Sequence, residues 1–167
     1  MIWLIGYKGM LGTEIGRQLT QENIPWIGTG EEVDITNSTA LENFINSTET
    51  ASYYPSHNSE NSRNSGRIKW IINCAAYTAV DKSEENPDAA HAVNSDGPMN
   101  IARTARAHGA KLIHFSTDYV FDGKSLTEYR ETDPVNPQNA YGRAKLAGEL
   151  GVIESGADAY IVRTSWV

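Results

Sequence analysis

The chain holds a single cysteine, Cys74, so no disulfide can form within it, and nothing beside that thiol in sequence marks it as reactive; it reads as a core residue. No apolar run is long enough to cross a bilayer or to act as a secretory signal. Positive charge is scarce and scattered: 14 Lys and Arg stand against 21 Asp and Glu, for a net charge of −7 and a pI near 5.0. That balance argues against a general binder of nucleic acid or of anionic membrane. His91 and His108 show no ligand spacing, so no metal is expected. At 167 residues and 40% hydrophobic, the chain is too short for two full domains but long enough for one with a sizeable core. These absences together describe a cytoplasmic protein.

What is present begins at the N-terminus. Met1-Ile-Trp-Leu-Ile5 is a short apolar run, followed at once by Gly6-Tyr-Lys-Gly9-Met-Leu-Gly12, and Leu11, Ile15 and Leu19 then recur at helical spacing. Strand, glycine turn and helix in this order suit a dinucleotide. Glycine permits the tight turn, lets backbone approach a pyrophosphate, and allows helix to pack closely on strand, with the anion at the helix N-terminus. Ile24 to Ile27 reads as a second strand ending in Gly28-Thr-Gly30. The residues after it would meet an adenosine ribose, where Glu31 and Glu32 favour NAD(H) while Lys8 could meet the 2′-phosphate of NADP(H), so both cofactors stay open. Val33-Asp-Ile35 reads as a short third strand, with Asp34 either an acceptor for the adenine amino group or a turn aspartate.

Helical spacing from Ser38 to about Ser47 gives way to a Ser/Asn-rich, aperiodic stretch over 47–66, read as a surface insertion. Lys69 to Asn73 is the next buried strand, and the small residues after it, Cys74, Ala75 and Ala76, would let a cofactor lie against backbone. A helix running through Ala89, Val93 and Ile101 to Gly109 contains Asn94, a polar residue able to anchor nearby backbone. Lys111 to Phe115 delivers Ser116 and Thr117 at a strand end, and Ala159 to Arg163 is the last strand. The alternation predicts one α/β domain over 1–167: a Rossmann-like, doubly wound, mainly parallel sheet with helices on both faces.

Between those last two strands lies Tyr141-Gly-Arg-Ala-Lys145. In a helix this spacing places both side chains on one face. A fixed ammonium beside a phenol favours the phenolate and brings its pKa toward the working range for proton transfer.

Together, the glycine motif, Asn73-Cys-Ala-Ala76, Ser116-Thr117 and Tyr141-x-x-x-Lys145 resemble the extended short-chain dehydrogenase/reductases. Within that group Tyr77-Thr-Ala-Val-Asp-Lys-Ser-Glu84, Ser116-Thr-Asp-Tyr-Val-Phe-Asp122, Glu131-Thr-Asp-Pro134, the Tyr141 to Glu149 stretch and Arg163-Thr-Ser-Trp-Val167 look like the dTDP-4-dehydrorhamnose reductases. The resemblance implies reduction of the C4 ketone of a dTDP-sugar by NADP(H) or NAD(H). It implies Tyr141 as the proton donor, Lys145 as the group that lowers the tyrosine pKa and holds the nicotinamide ribose, and Thr117, with Ser116 as the alternative, as the catalytic hydroxyl. Gly6, Gly9, Met10, Leu11 and Gly12 would cradle the pyrophosphate, Asp34 and Ile35 the adenine, and Ala75, Ala76 and Tyr77 the rest of the cofactor. Thr78, Val80, Asp118, Tyr119 and Trp166 match positions near the sugar. The resemblance also implies a C-terminal substrate portion after Val167 and, in some members, a homodimer. Two other readings stay open: a non-catalytic cofactor-binding subunit like the regulatory subunit of methionine adenosyltransferase, and a sugar epimerase or dehydratase, the latter suggested by Asp118 beside Thr117.

Overall fold

The structure, a computed structural model, describes residues 1–50 and 67–165; most of the 47–66 stretch and Trp166 lie outside them. The elements in order are β1 (Ile2–Ile5), α1 (Met10–Gln21), β2 (Trp26–Thr29), α2 (Ser38–Thr50), β3 (Trp70–Asn73), α3 (Val80–Glu85) and α4 (Pro87–His91). A π-helical turn, Ala92–Asp96, then leads into α5 (Gly97–His108), β4 (Lys111–Thr117), a single 3-10 turn (Asp118–Val120), α6 (Ala140–Ser155) and β5 (Ala159–Thr164).

The strands form one sheet in the order β2-β1-β3-β4-β5, and every pair is parallel. The chain steps outward from β1 to β2, then returns past β1 to β3 and continues in the other direction. Strand β1 is therefore where the order reverses, and the loops leaving β1 and β3 diverge to open a crevice at their C-terminal ends. Leu4 of β1 and Trp26 of β2 meet Gly16 of α1 on one face. On the other, Trp3, Ile5, Leu41, Ile45, Ile71, Ile101, Leu112 and Val152 are all within 1% of full burial, and they join β1, β3 and β4 to α2, α5 and α6. The Trp3 indole N–H finds the Thr29 hydroxyl at 2.9 Å, so this large side chain is buried without an unmet donor.

Two expectations change. The Val33–Ile35 segment is not a strand. Its alternation is real, because Val33 and Ile35 are buried and Asp34 is exposed, but Asp34 Oδ1 accepts both the backbone N–H and the hydroxyl of Thr36, at 2.9 and 2.8 Å. Asn37 N–H closes onto the Asp34 carbonyl, so local turns replace sheet pairing. Helix α2, in turn, extends beyond Ser47. The hydroxyls of Ser47 and Thr48 bond back to the Phe44 carbonyl, which lets the helix run on into polar sequence. Among the described residues no helix is long and apolar enough to cross a membrane.

Candidate active site

The crevice begins with the glycine loop. Gly6 has φ of +76°, and a Cβ there would sit 2.7 Å from Ala75 N, so the loops after β1 and β3 touch backbone to backbone. At Gly12 a Cβ would lie 2.2 Å from the Gly6 carbonyl oxygen. Gly9 N–H bonds to that same carbonyl at 3.0 Å and Gly9 caps α1, whose first turn carries no acidic side chain. The result is a helix N-terminus whose approach is lined by backbone amides, with its dipole unopposed. This fits a dinucleotide pyrophosphate. Met10 is exposed at the mouth and Leu11 half-buried.

The floor under this loop is held by buried amides. Asn73 Oδ1 accepts the Ala75 N–H at 3.0 Å, which turns the amide Nδ2 toward His114 Nδ1, 3.1 Å away. His114 Nδ1 must then be the acceptor, so the ring is neutral with its proton on Nε2; burial, assisted by the Lys145 charge, holds its pKa well below the ordinary value. Asn94, fully buried in the π-turn, clamps Tyr77 from both sides, accepting its N–H and donating to its carbonyl, each at 2.9 Å. The widened turn also brings the Asn94 carbonyl against Gly148 of α6, where a Cβ would lie 2.2 Å away. Asn94→Ala strands both Tyr77 backbone groups. It is expected to cost about 2–3 kcal/mol in urea unfolding and to weaken cofactor affinity.

Strand β4 ends at Thr117, which is 6% exposed, and its hydroxyl donates to Asp118 Oδ1 at 3.1 Å while accepting the Tyr119 N–H at 3.2 Å. Helix α6 starts at the Asn139 cap, whose side chain accepts the Gly142 N–H at 2.7 Å, and a bond from Ala140 N–H to Glu84 Oε1 ties that start to α3. This sets Tyr141 over the end of β4, its ring 5.7 Å edge-on from Tyr119. Burial is the largest influence on the phenol and raises its pKa; the Thr117 hydroxyl, close enough to hydrogen-bond, opposes the shift, and Asp118 and Tyr119 add to it. The expected lowering by Lys145 is not what the geometry produces. The Lys145 ammonium donates to the Phe115 carbonyl at 2.6 Å, one residue-pair deeper along β4, and burial of the phenol decides the direction of its shift. Tyr141 is thus a protonated donor at neutral pH, suited to act as a general acid. Ser116, by contrast, points to the same face as His114, its Oγ buried without a hydrogen-bond partner.

Lys145 is 2% exposed, and burial, partly offset by Glu149, lowers its pKa to about 8. The Glu149 carboxylate is itself paired with Arg163 through two bonds of 2.9 and 2.7 Å. Between that folded value and the unfolded value of 10.5 the unfolded chain binds the extra proton, so stability rises with pH through this window. Subtracting the pH profile of Lys145→Met from that of the wild type should leave a rise on the order of 3 kcal/mol between about pH 8 and 10.5, read by urea denaturation.

Of the sugar-side expectations, Thr78, Asp118 and Tyr119 are exposed at the edge, and Val80 is half-buried at the start of α3. Asp34 is engaged in its turn, and the Ile35 carbonyl is held by the Asn100 amide at 3.2 Å. Cys74 is partly buried, which pushes its thiol up to about 12. The Asn73–His114 pair, the Glu84 link and the Glu149–Arg163 pair escape a reading of sequence alone; an isolated His in an otherwise apolar strand was the one local signal. Among the described residues no group of three His, Cys, Asp or Glu side chains could hold a metal ion.

Known proteins resemble this chain in sequence and in fold. The dTDP-4-dehydrorhamnose reductase of Mycolicibacterium smegmatis is 39% identical over 168 residues, which cover 99% of this chain and 45% of the relative. That of Streptomyces griseus is 39% identical over 169 residues, covering 99% and 49%. The solved dTDP-4-dehydrorhamnose reductase from Clostridium acetobutylicum matches with a TM-score of 0.85 at 42% identity, and that from Bacillus anthracis, in complex with NADP, with 0.84 at 33%; each comparison covers 99% of this chain and 53% of the other. The chain therefore spans about half the length of these relatives. The model of the family described as RmlD substrate binding domain matches residues 1–167, and the chain belongs to that family.

Proposed function

We propose that this chain is the cofactor-binding and catalytic portion of a dTDP-4-dehydrorhamnose reductase, which reduces the C4 ketone of dTDP-4-dehydro-L-rhamnose to dTDP-L-rhamnose with NADPH or NADH. The observation that carries the reading is the convergence of the Thr117 hydroxyl and the Tyr141 phenol at the end of β4, beside a glycine loop built for a pyrophosphate. Relatives that are 38–39% identical to this chain over the region they share with it bear that name, and one solved relative is a complex with NADP. The compartment that goes with this reading is the cytoplasm.

Gly6, Gly9, Met10, Leu11 and Gly12 would hold the pyrophosphate, Asp34 and Ile35 the adenine, and Ala75, Ala76 and Tyr77 the remaining cofactor, whose nicotinamide supplies the hydride for C4. Tyr141 gives its phenolic proton to the C4 oxygen as negative charge develops there, so hydride and proton together turn ketone into alcohol. Thr117 turns its hydroxyl from Asp118 to the same oxygen and stabilises the charge. Lys145 holds the nicotinamide ribose hydroxyls and supplies positive charge as Tyr141 recovers its proton. Thr78, Val80, Asp118, Tyr119 and Trp166 border the sugar.

The test is the fall of absorbance at 340 nm when the protein is mixed with NADPH and dTDP-4-dehydro-L-rhamnose. Oxidation that depends on the sugar supports the reading. Cofactor binding without oxidation would favour the non-catalytic subunit instead.

A further inference from the structure

One side chain joins the cofactor side of the crevice to the helix that carries Tyr141. Helix α3 begins at Val80, shortly after Tyr77, whose backbone N–H and carbonyl are both held by Asn94. The start of α3 is itself tied down, because the buried Ser83 hydroxyl donates to the Ala79 carbonyl at 3.0 Å. The next residue, Glu84, reaches across to α6. Its Oε1 accepts the Ala140 N–H at 2.5 Å, and its Oε2 lies 3.7 Å from a guanidinium nitrogen of Arg143. The bond spans 56 positions in sequence and lands on the residue immediately before Tyr141.

Helix α6 has no substitute of its own for this contact. Its first turn carries no acidic side chain, and its cap, Asn139, takes the Gly142 N–H and leaves the Ala140 N–H to Glu84. A carboxylate placed there meets one of the donors that a helix start leaves unpaired and complements the positive end of the helix dipole. The ion pair with Arg143 is about half exposed on both sides and contributes little, so the backbone bond is the part that counts.

The place where α6 starts decides where the phenol stands. A Cβ on Gly142 would lie 2.4 Å from the Tyr119 carbonyl oxygen, so the helix rests backbone to backbone on the 3-10 turn after β4. The N–H of that same Tyr119 donates to the Thr117 hydroxyl at 3.2 Å. The spacing between the Tyr141 phenol and the Thr117 hydroxyl therefore depends on how closely α6 is drawn onto this turn, and small displacements of reacting groups cost large factors in rate.

Resting on the reduction proposed above, we infer that Glu84 is a positioning residue: through the Ala140 N–H it holds the Tyr141 phenol in register with Thr117, and because α3 follows directly on the Ala75–Tyr77 segment, it transmits to the phenol the order that bound cofactor imposes there.

Two variants separate this role from simple stabilisation. Glu84→Gln keeps an acceptor for the Ala140 N–H, whereas Glu84→Ala removes it. Turnover is measured with dTDP-4-dehydro-L-rhamnose and whichever of NADPH and NADH binds more tightly, beside cofactor titrations by nicotinamide fluorescence and amide hydrogen exchange of residues 140–142 with and without cofactor. Glu84→Ala should lower kcat about tenfold while cofactor affinity stays within about threefold, and Glu84→Gln should keep kcat within about threefold of the wild type. In the wild type, cofactor should slow exchange of the 140–142 amides at least about fivefold, and Glu84→Ala should lose that slowing. An alanine variant with wild-type kcat, or a glutamine variant as slow as the alanine one, overturns the positioning role. Amides that cofactor leaves unchanged in the wild type, or slows equally in Glu84→Ala, overturn the transmission. A wild type that binds cofactor but does not reduce the sugar contradicts the proposed reduction instead, and the exchange comparison still decides whether Glu84 links the cofactor segment to α6.

Discussion

Tyr141→Phe is expected to lower ketone reduction by about 10²–10⁴-fold while changing NADH affinity by less than about threefold. The change deletes one oxygen and leaves the ring. Tyr141 keeps its edge-on contact with Tyr119 and its place on the first turn of α6, where the Asn139 cap and the Glu84 bond fix the backbone. Folding should be little affected, because the phenol is partly buried and its hydroxyl contact is with Thr117, whose own hydroxyl keeps Asp118 as acceptor and Tyr119 N–H as donor. The loss therefore belongs to proton donation. Stopped-flow rates with NADH and dTDP-4-dehydro-L-rhamnose, set beside fluorescence titrations of NADH alone, separate the two quantities. A Tyr141→Phe protein that reduces the sugar at the wild-type rate would remove the phenol from the chemistry.

Gly12→Ala is expected to abolish measurable cofactor binding, with affinity for NADH falling by at least about 100-fold. The added methyl would stand 2.2 Å from the Gly6 carbonyl oxygen and 2.8 Å from Tyr7 Cα, both backbone atoms with no rotamer to escape through. Either the loop lifts or α1 retreats. Each movement displaces the Gly9 amide and the start of α1 from the place where a pyrophosphate would sit, and a destabilisation of about 1–3 kcal/mol should accompany the loss. Gly123, with φ of +70° and nothing within 4 Å of a Cβ, is the control for a glycine substitution that strains the backbone without displacing the loop after β1. Fluorescence titration and urea unfolding on both variants distinguish a damaged loop from general instability.

The strand–glycine–helix opening was legible because every part of it is local: an apolar run, three glycines and a helical period within 19 residues. The final Tyr–Lys helix was legible for the same reason. Its chemistry was not. Helical spacing puts Tyr141 and Lys145 on one face, but it cannot reveal that the Phe115 carbonyl, 30 residues earlier in the chain, takes the ammonium and leaves the phenol protonated by burial. Val33–Ile35 failed in the opposite way. Its alternating burial satisfied the strand pattern, yet the carboxylate of Asp34 and the hydroxyl of Thr36 offered the backbone a local turn that a sequence period does not register. The supports of the crevice, Asn73 with His114 and Asn94 with Tyr77, join residues 41 and 17 apart, and only the folded sheet brings them together.

The most direct measurement is transfer of label. NADH deuterated at the transferring position of the nicotinamide is incubated with the protein and dTDP-4-dehydro-L-rhamnose, and the sugar is examined by mass spectrometry and proton NMR. One deuterium is expected in the product, at C4, and none when Tyr141→Phe is used over the same time. A sugar recovered without deuterium, or with deuterium at any other carbon, would contradict reduction at C4 by this chain.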